Sequence, residues 1–377
     1  MIPRLLQIEK LLKPQKVLII YGARRVGKTT LLKNFLSETK LKYRLDSGDN
    51  IRVQRIFDTQ DFNLILEYAE GYDLIAIDEA QYIKNIGMGL KILVDNNPDL
   101  KIIATGSSSF DLQQKVGEPL TGRKRTFILY PFSLKELRSK YNKQELKDKL
   151  EEFLIYGMYP EIIITKNKKE KVEFLKELVD SYLLKDVLNL ERIKGARQIY
   201  DLLKLLSFQI GSEVSLNELA TQIGMDVKTV NRYLDILEKA FVIKRIGAFS
   251  RNLRKEITSK SKYYFYDVGI RNAIISHFNP LEDRNDVGAL FENFIIMERI
   301  KINAYKQEFI EYYFWRTYDG QEIDFIEVTN GKIYGYEIKW QDTASYRIPK
   351  AWKGSYPDTK VQLINKSNFL KFVLDEE

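Results

Sequence analysis

A chain of 377 residues carrying 60 Lys and Arg against 52 Asp and Glu, for a formal charge of +8, is too long for one ordinary core and is expected to form several domains. With no cysteine it has no disulfide, zinc–thiolate centre or cysteine nucleophile, and with His277 as its one histidine it offers neither a multi-histidine metal site nor a Ser-His-Asp triad, so a metal would be a hard cation on carboxylates. The basic excess favours anionic partners, and no stretch has the length of a membrane span or a signal-like apolar core, which predicts a cytoplasmic protein.

Leu5, Leu6, Ile8, Leu11 and Leu12 fall at helical spacing, and Pro14 stops that helix. Val17-Leu18-Ile19-Ile20 then reads as a buried strand and Leu31 to Leu36 as a helix. Between them Gly22-Ala23-Arg24-Arg25-Val26-Gly27-Lys28-Thr29 has the spacing G-x-x-x-x-G-K-[ST]. This is a P-loop: backbone N–H groups turn inward around a phosphate chain, and the following helix adds its positive end. Gly22 through Thr30 are therefore the expected ATP/ADP-binding residues, with Lys28 reaching the β- and γ-phosphates and Thr29 offering its hydroxyl to Mg²⁺.

Lys42 to Asp46 is a short strand candidate. Asp73-Leu74-Ile75-Ala76-Ile77-Asp78-Glu79 reads as a buried parallel strand ending in two carboxylates. At this distance after a P-loop it looks like a Walker B segment, with Asp78 on the metal and Glu79 polarising the attacking water. Lys101 to Ser109 supplies a third strand ending in hydroxyls. Ser107 suits a γ-phosphate sensor, although serines there would equally cap the helix expected from Phe110. In the loop from Gly117 to Arg125, Arg123 is a candidate for stabilising transition-state charge, possible also from a neighbouring subunit of a homo-oligomer. A solvated basic loop is the plainer account.

Residues 136–197 read as a helical lid or spacer, and Arg197 is a candidate second sensor at a helix start. Residues 198–250 then show two short helices, Leu216 to Ile223 and Val227 to Lys239, joined by Gly224-Met225-Asp226, with a following strand from Phe241 to Ile246 as a wing. Lys228, Thr229, Asn231 and Arg232 lie on the outer face of the second helix, where DNA would be met; the same unit can dock a protein partner. Arg251, Arg254, Lys255, Lys260 and Lys262 enlarge the basic surface, a pattern that is commonly just a solvated face.

Residues 251–377 change to short strands and one amphipathic helix, Gly288 to Asn303, from which Glu292 projects. The Asn330-Gly331 pair and the alternation around it mark a hairpin. Side-chain alternation places Glu337 and Lys339 on one face, with Asp324 on the partner strand. Asp324, Glu337 and Glu292 could hold Mg²⁺ while Lys339 stabilises a nucleophilic water or developing charge, an arrangement for phosphodiester cleavage. Cross-strand charge pairing gives the structural alternative.

Taken in order, the P-loop, Asp78-Glu79, Gly106-Ser107-Ser108, Leu120-Thr121-Gly122-Arg123, Tyr130-Pro131-Phe132-Ser133, Lys262-Tyr263-Tyr264-Phe265-Tyr266-Asp267-Val268-Gly269 and Asp324…Glu337-Ile338-Lys339 resemble a prokaryotic family of AAA-type ATPases whose C-terminal domain looks like the PD-(D/E)XK nuclease fold. The resemblance implies an α/β protein: a P-loop parallel-sheet core over 1–135, a helical lid, a winged helix and a restriction-endonuclease-like C-terminal domain. It also implies ATP hydrolysis with Mg²⁺, with Glu292, Asp324, Glu337 and Lys339 as the nuclease-like quartet. Two functions fit: a DNA-associated ATPase with a nuclease-like domain, or a nucleotide-dependent switch that docks a protein and cuts nothing. A small-molecule kinase fits poorly, since no acceptor pocket is evident after the P-loop domain.

Overall fold

A computed structural model describes residues 2–107, 116–117, 119–183, 196–250, 260–343 and 346–376. Ser108, Ser109, the helix expected from Phe110, and Arg251, Arg254 and Lys255 lie outside the described residues. The first sheet contains β1 (Val17–Tyr21), β2 (Tyr43–Ser47), β3 (Leu74–Asp78), β4 (Lys101–Gly106) and β5 (Lys124–Ile128) in the order β2-β3-β4-β1-β5. Every pairing is parallel. Continuous apolar runs such as Val17 to Ile20 and Leu74 to Ile77 are buried throughout, as strands covered on both faces require. Because the strands are parallel, all their carboxyl ends open on one edge, and the P-loop, Asp78-Glu79 and Ser107 are delivered there together.

Helices follow from Leu134 to Glu177. Beyond them the helices Leu216–Ile223 and Val227–Lys239 are joined through Gly224, whose φ of +66° closes the first, while Asp226 caps the second by accepting from the Thr229 amide at 2.9 Å. Val230, Leu234 and Leu237 point inward as their spacing predicts, together with Tyr233 and Ile236.

The second sheet has seven strands. β6 (Glu213–Val214), β7 (Ile243–Ala248), β8 (Ser261–Phe265), β9 (Glu311–Arg316), β10 (Glu322–Thr329), β11 (Lys332–Lys339) and β12 (Lys360–Asn365) run in the order β12-β11-β10-β9-β7-β8-β6. The strand expected as a wing is thus β7, which pairs with both β8 and β9. The helix pair and the last domain share one sheet. Alternation in the sequence reports a strand, not which sheet it joins.

The two sheets are locked together by the helix Val287–Lys306. Glu298 on this helix accepts from the Leu134 amide at 2.6 Å, and Lys301 donates to the Phe132 carbonyl at 3.1 Å and to Glu298 at 2.7 Å. Tyr305 receives the Tyr130 amide at 3.3 Å. The segment Tyr130-Pro131-Phe132-Ser133 is therefore an interface strap. Asp267, just after β8, makes the second lock by accepting from the Met158 amide at 2.7 Å. Gly157 sits so close that a Cβ would overlap the Asp267 carboxylate, and its φ of +76° is left-handed.

Candidate functional site

At the carboxyl edge of the first sheet, Gly27 adopts φ +98° and Arg25 φ +64°, which turns the loop back on itself before the helix Lys28–Glu38. A Cβ on Gly22 would overlap the carbonyl oxygen of Leu129, so this glycine is required by close approach of the chain just after β5. Lys28 is buried, and its ammonium donates to the carbonyls of Gly22 and Ala23 at 2.9 and 3.0 Å. The Thr29 hydroxyl donates to Asp78 Oδ2 at 2.6 Å. β4 lies between β1 and β3, so Thr105 reaches Asp78 as well: its hydroxyl donates to Oδ1 and accepts from the Glu79 amide at 3.3 Å.

Glu79 occupies a left-handed backbone conformation, φ +50° and ψ +41°. Such a position is strained for a residue with a side chain, and strain of this kind clusters at functional sites. Its carboxylate accepts from Gln81, which also donates to the Ser107 hydroxyl at 3.0 Å. Ser107 is thereby tied to Glu79 through Gln81. Arg24, Arg25, Gly27, Lys28, Thr29, Thr30 and Glu79 line a cavity of about 610 Å³, roofed by Pro160, Glu161, Ile164 and Thr165. Arg24 donates to the Tyr82 hydroxyl at 3.0 Å, and Arg25 lies 3.8 Å from Glu161.

The site fits a nucleotide with magnesium. Thr29 and Asp78 converge on one point, and Mg²⁺ typically takes one or two carboxylates and completes its shell with phosphate and water oxygens. The sequence did not single out Thr105, Gln81 or Glu161.

Two candidates lie elsewhere. Arg123 precedes β5, and its carbonyl accepts from the amide of Val17, the first residue of β1, at 2.8 Å. The P-loop follows the last residue of β1. At roughly 3.3 Å per residue, a five-residue parallel strand separates the two by about 13 Å, and Arg123 instead pairs with Asp95 at 2.5 Å. Arg123 thus stands at the opposite end of β1 from the P-loop of its own chain. Arg197 is highly exposed and pairs with Asp201 at 3.8 Å along its own helix.

The second candidate site is assembled around β10 and β11. Phe325 opposite Tyr336 makes Asp324 and Glu337 the next neighbours across the hairpin. Lys339 lies 2.7 Å from Glu337 Oε1 and 3.7 Å from Asp324 Oδ2, and the Ile338 amide donates to Asp324 Oδ2 at 2.8 Å. Glu292 joins from the long helix, accepting from the Tyr264 hydroxyl at 2.6 Å. The expected quartet does come together. Lys262 on β8, expected to enlarge the basic surface, is instead buried, with its ammonium 3.6 Å from Glu292 Oε1. Burial pushes Glu292 up to about 7 against the pull of Lys262. Burial and then the Asp324 charge likewise push Glu337 up to about 7. Burial also raises Asp324. For Lys262, burial alone would lower the pKa, but Glu292, Asp324 and Glu322 together hold it above the usual value.

These carboxylates do not fit a divalent metal. Among the described residues no group of three or more His, Cys, Asp or Glu side chains is placed to hold one. Glu337 Oε2 is buried without a hydrogen-bond partner, while the ammonium groups of Lys262 and Lys339 stand against Glu292, Asp324 and Glu337 where a cation would have to approach. Lys339 was expected beside Glu292, Asp324 and Glu337, and Lys262 is a second ammonium in the position where their metal was expected.

Residues 14–138 match the family model described as an AAA domain. The N-terminal part is an AAA-type P-loop ATPase domain. Residues 147–281 and 287–372 match two domains of unknown function, DUF8612 and DUF4143. An uncharacterized protein of Mycobacterium tuberculosis is 25% identical over 342 residues, covering 90% of this chain and 74% of the relative. An uncharacterized protein of Methanocaldococcus jannaschii is 26% identical over 381 residues, covering 95% and 82% respectively. Among solved structures, a Walker-type ATPase of Pyrococcus abyssi superposes with a TM-score of 0.48 at 17% identity, covering 69% of this chain and 91% of that one. No helix among the described residues is long and apolar enough to cross a membrane.

Proposed function

We propose that this chain is a magnesium-dependent ATPase that works in association with DNA. The observation that carries the ATPase reading is the 2.6 Å contact between the Thr29 hydroxyl and Asp78 beside buried Lys28. In this reading Thr29 and Asp78 hold the metal, Lys28 leaves the Gly22 and Ala23 carbonyls for the β- and γ-phosphates, and Glu79 orients the attacking water under the control of Gln81 and Ser107. Bound magnesium would supply neutralisation of phosphate charge. Lys28 and the loop amides bind and orient the phosphate chain, and the helix Pro160–Ile164 shields the cavity from water.

Support for DNA association comes from the helix Val227–Lys239, whose Lys228 and Arg232 are exposed. An arginine finger supplied in trans, Arg123 included, would belong to a homo-oligomer. A second reading, a nucleotide switch that docks a protein and cleaves no DNA, is favoured by the burial of Asp324 and the lysine pairing of Asp324 and Glu292.

The deciding experiment is ATP hydrolysis with and without Mg²⁺ and duplex DNA, in the wild type and in Lys28→Ala. Hydrolysis is expected to need Mg²⁺, to rise with DNA in a salt-sensitive manner, and to fall roughly 100-fold or more in the variant. Hydrolysis indifferent to DNA, with no DNA bound, would transfer the conclusion to the protein-docking switch.

A further inference from the structure

The cluster on the second sheet is closed in a way its resemblance to a nuclease centre does not anticipate. Lys262 enters from β8 and Lys339 from β11, so the carboxylates are served from two sides by ammonium groups. Lys262 is only 2% exposed, its ammonium 5.4 Å from the centre of the Phe314 ring. A lysine placed so deeply is tolerated when paired charge replaces the water it has lost. Other sites on these carboxylates are also taken: the Tyr264 hydroxyl binds Glu292, and the Ile338 amide binds Asp324. On the remaining side Gly211, in the turn that leads into β6, lies so near that a Cβ there would sit 3.3 Å from Glu292 Oε1.

We propose that Lys262 takes the place of a divalent metal in this cluster, its ammonium supplying the positive charge that Glu292 and Asp324 require. The C-terminal domain is then a metal-free charge network joining β8, the long helix and the β10–β11 hairpin. It is not a hydrolytic centre. The magnesium of the P-loop domain is a separate matter, and the inference stands or falls independently of ATP hydrolysis.

The test is Mn²⁺ binding to the 377-residue, nucleotide-free chain, followed by electron paramagnetic resonance of the free ion up to millimolar concentration. Wild type and Asp324→Asn are expected to bind the same number of ions; any ion lost in Asp78→Asn and retained in Asp324→Asn belongs to the P-loop. Lys262→Met is expected to gain one Mn²⁺ that is lost again in the Lys262→Met/Asp324→Asn double variant. A wild-type ion that disappears in Asp324→Asn would overturn the proposal, as would a folded Lys262→Met with no added ion. Should Lys262→Met fail to fold, the comparison of wild type with Asp324→Asn still decides.

Discussion

Replacing Asp267 by asparagine tests the lock between the two sheets with almost no change of shape. The Asp267 carboxylate is buried and accepts from three amides: Met158 at 2.7 Å, Gly269 at 2.9 Å and Ile270 at 3.3 Å. Asparagine keeps one oxygen for the Gly269 and Ile270 pair but turns an NH₂ group on the Met158 N–H. The charge-assisted bond lost amounts to about 1.5–3 kcal/mol, and the stranded donor costs a further ~1–3 kcal/mol. Burial raises the pKa of Asp267, so removing its charge returns part of that loss, leaving a net destabilisation of about 2–4 kcal/mol. The three tryptophans, Trp315, Trp340 and Trp352, all belong to the second sheet and its flanks, so urea unfolding followed by their fluorescence reports this half directly. With a slope of about 2 kcal/mol/M, the midpoint should fall by roughly 1–2 M, while exposed Asp283→Asn should stay within about 0.5 kcal/mol. An Asp267→Asn midpoint within that same margin would refute the lock.

Other outcomes follow from single contacts. Burial alone would raise Asp286, but hydrogen bonds from Arg284 and the charge of Arg271 outweigh it and hold the group at about 2 against an ordinary 3.8. Its stabilisation is therefore present above pH ~4 and disappears as pH falls toward ~2, on the order of 2 kcal/mol, so the stability gap between wild type and Asp286→Asn should narrow over that window. Arg123→Ala in a monomeric preparation should leave ATP turnover within about twofold, since the parallel strand length keeps Arg123 about 13 Å from the loop; a loss of roughly 100-fold there would refute that placement, whereas the same loss confined to an oligomeric preparation would mean that a second chain contributes it.

The nucleotide site was legible because its chemistry is contiguous: Gly22 to Thr30 lie on one turn, and Asp78-Glu79 end one apolar strand. Asp324, Glu337 and Lys339 were legible for a related reason, the Asn330-Gly331 turn fixing their register. Thr105, Gln81 and Lys262 were not, because they reach their sites across strands whose order no local pattern encodes. The buried charges of Glu298, Lys301 and Asp267 escaped for a different reason. Beside their local partners, each binds a backbone group more than a hundred residues away, at Leu134, Phe132 and Met158, and a charged side chain read in isolation is assigned to water.

The strap from Tyr130 to Ser133 also limits how the chain can be divided. Cut after residue 135, an N-terminal fragment would keep the P-loop but strand the Leu134 amide, the Phe132 carbonyl and the Tyr130 aromatic face that the long helix now covers. Such a fragment would present sticky, half-satisfied surface beside Leu129, the residue against which Gly22 is packed. Limited proteolysis should consequently spare residues 129–134 in the intact chain, and the two halves should be produced as one piece.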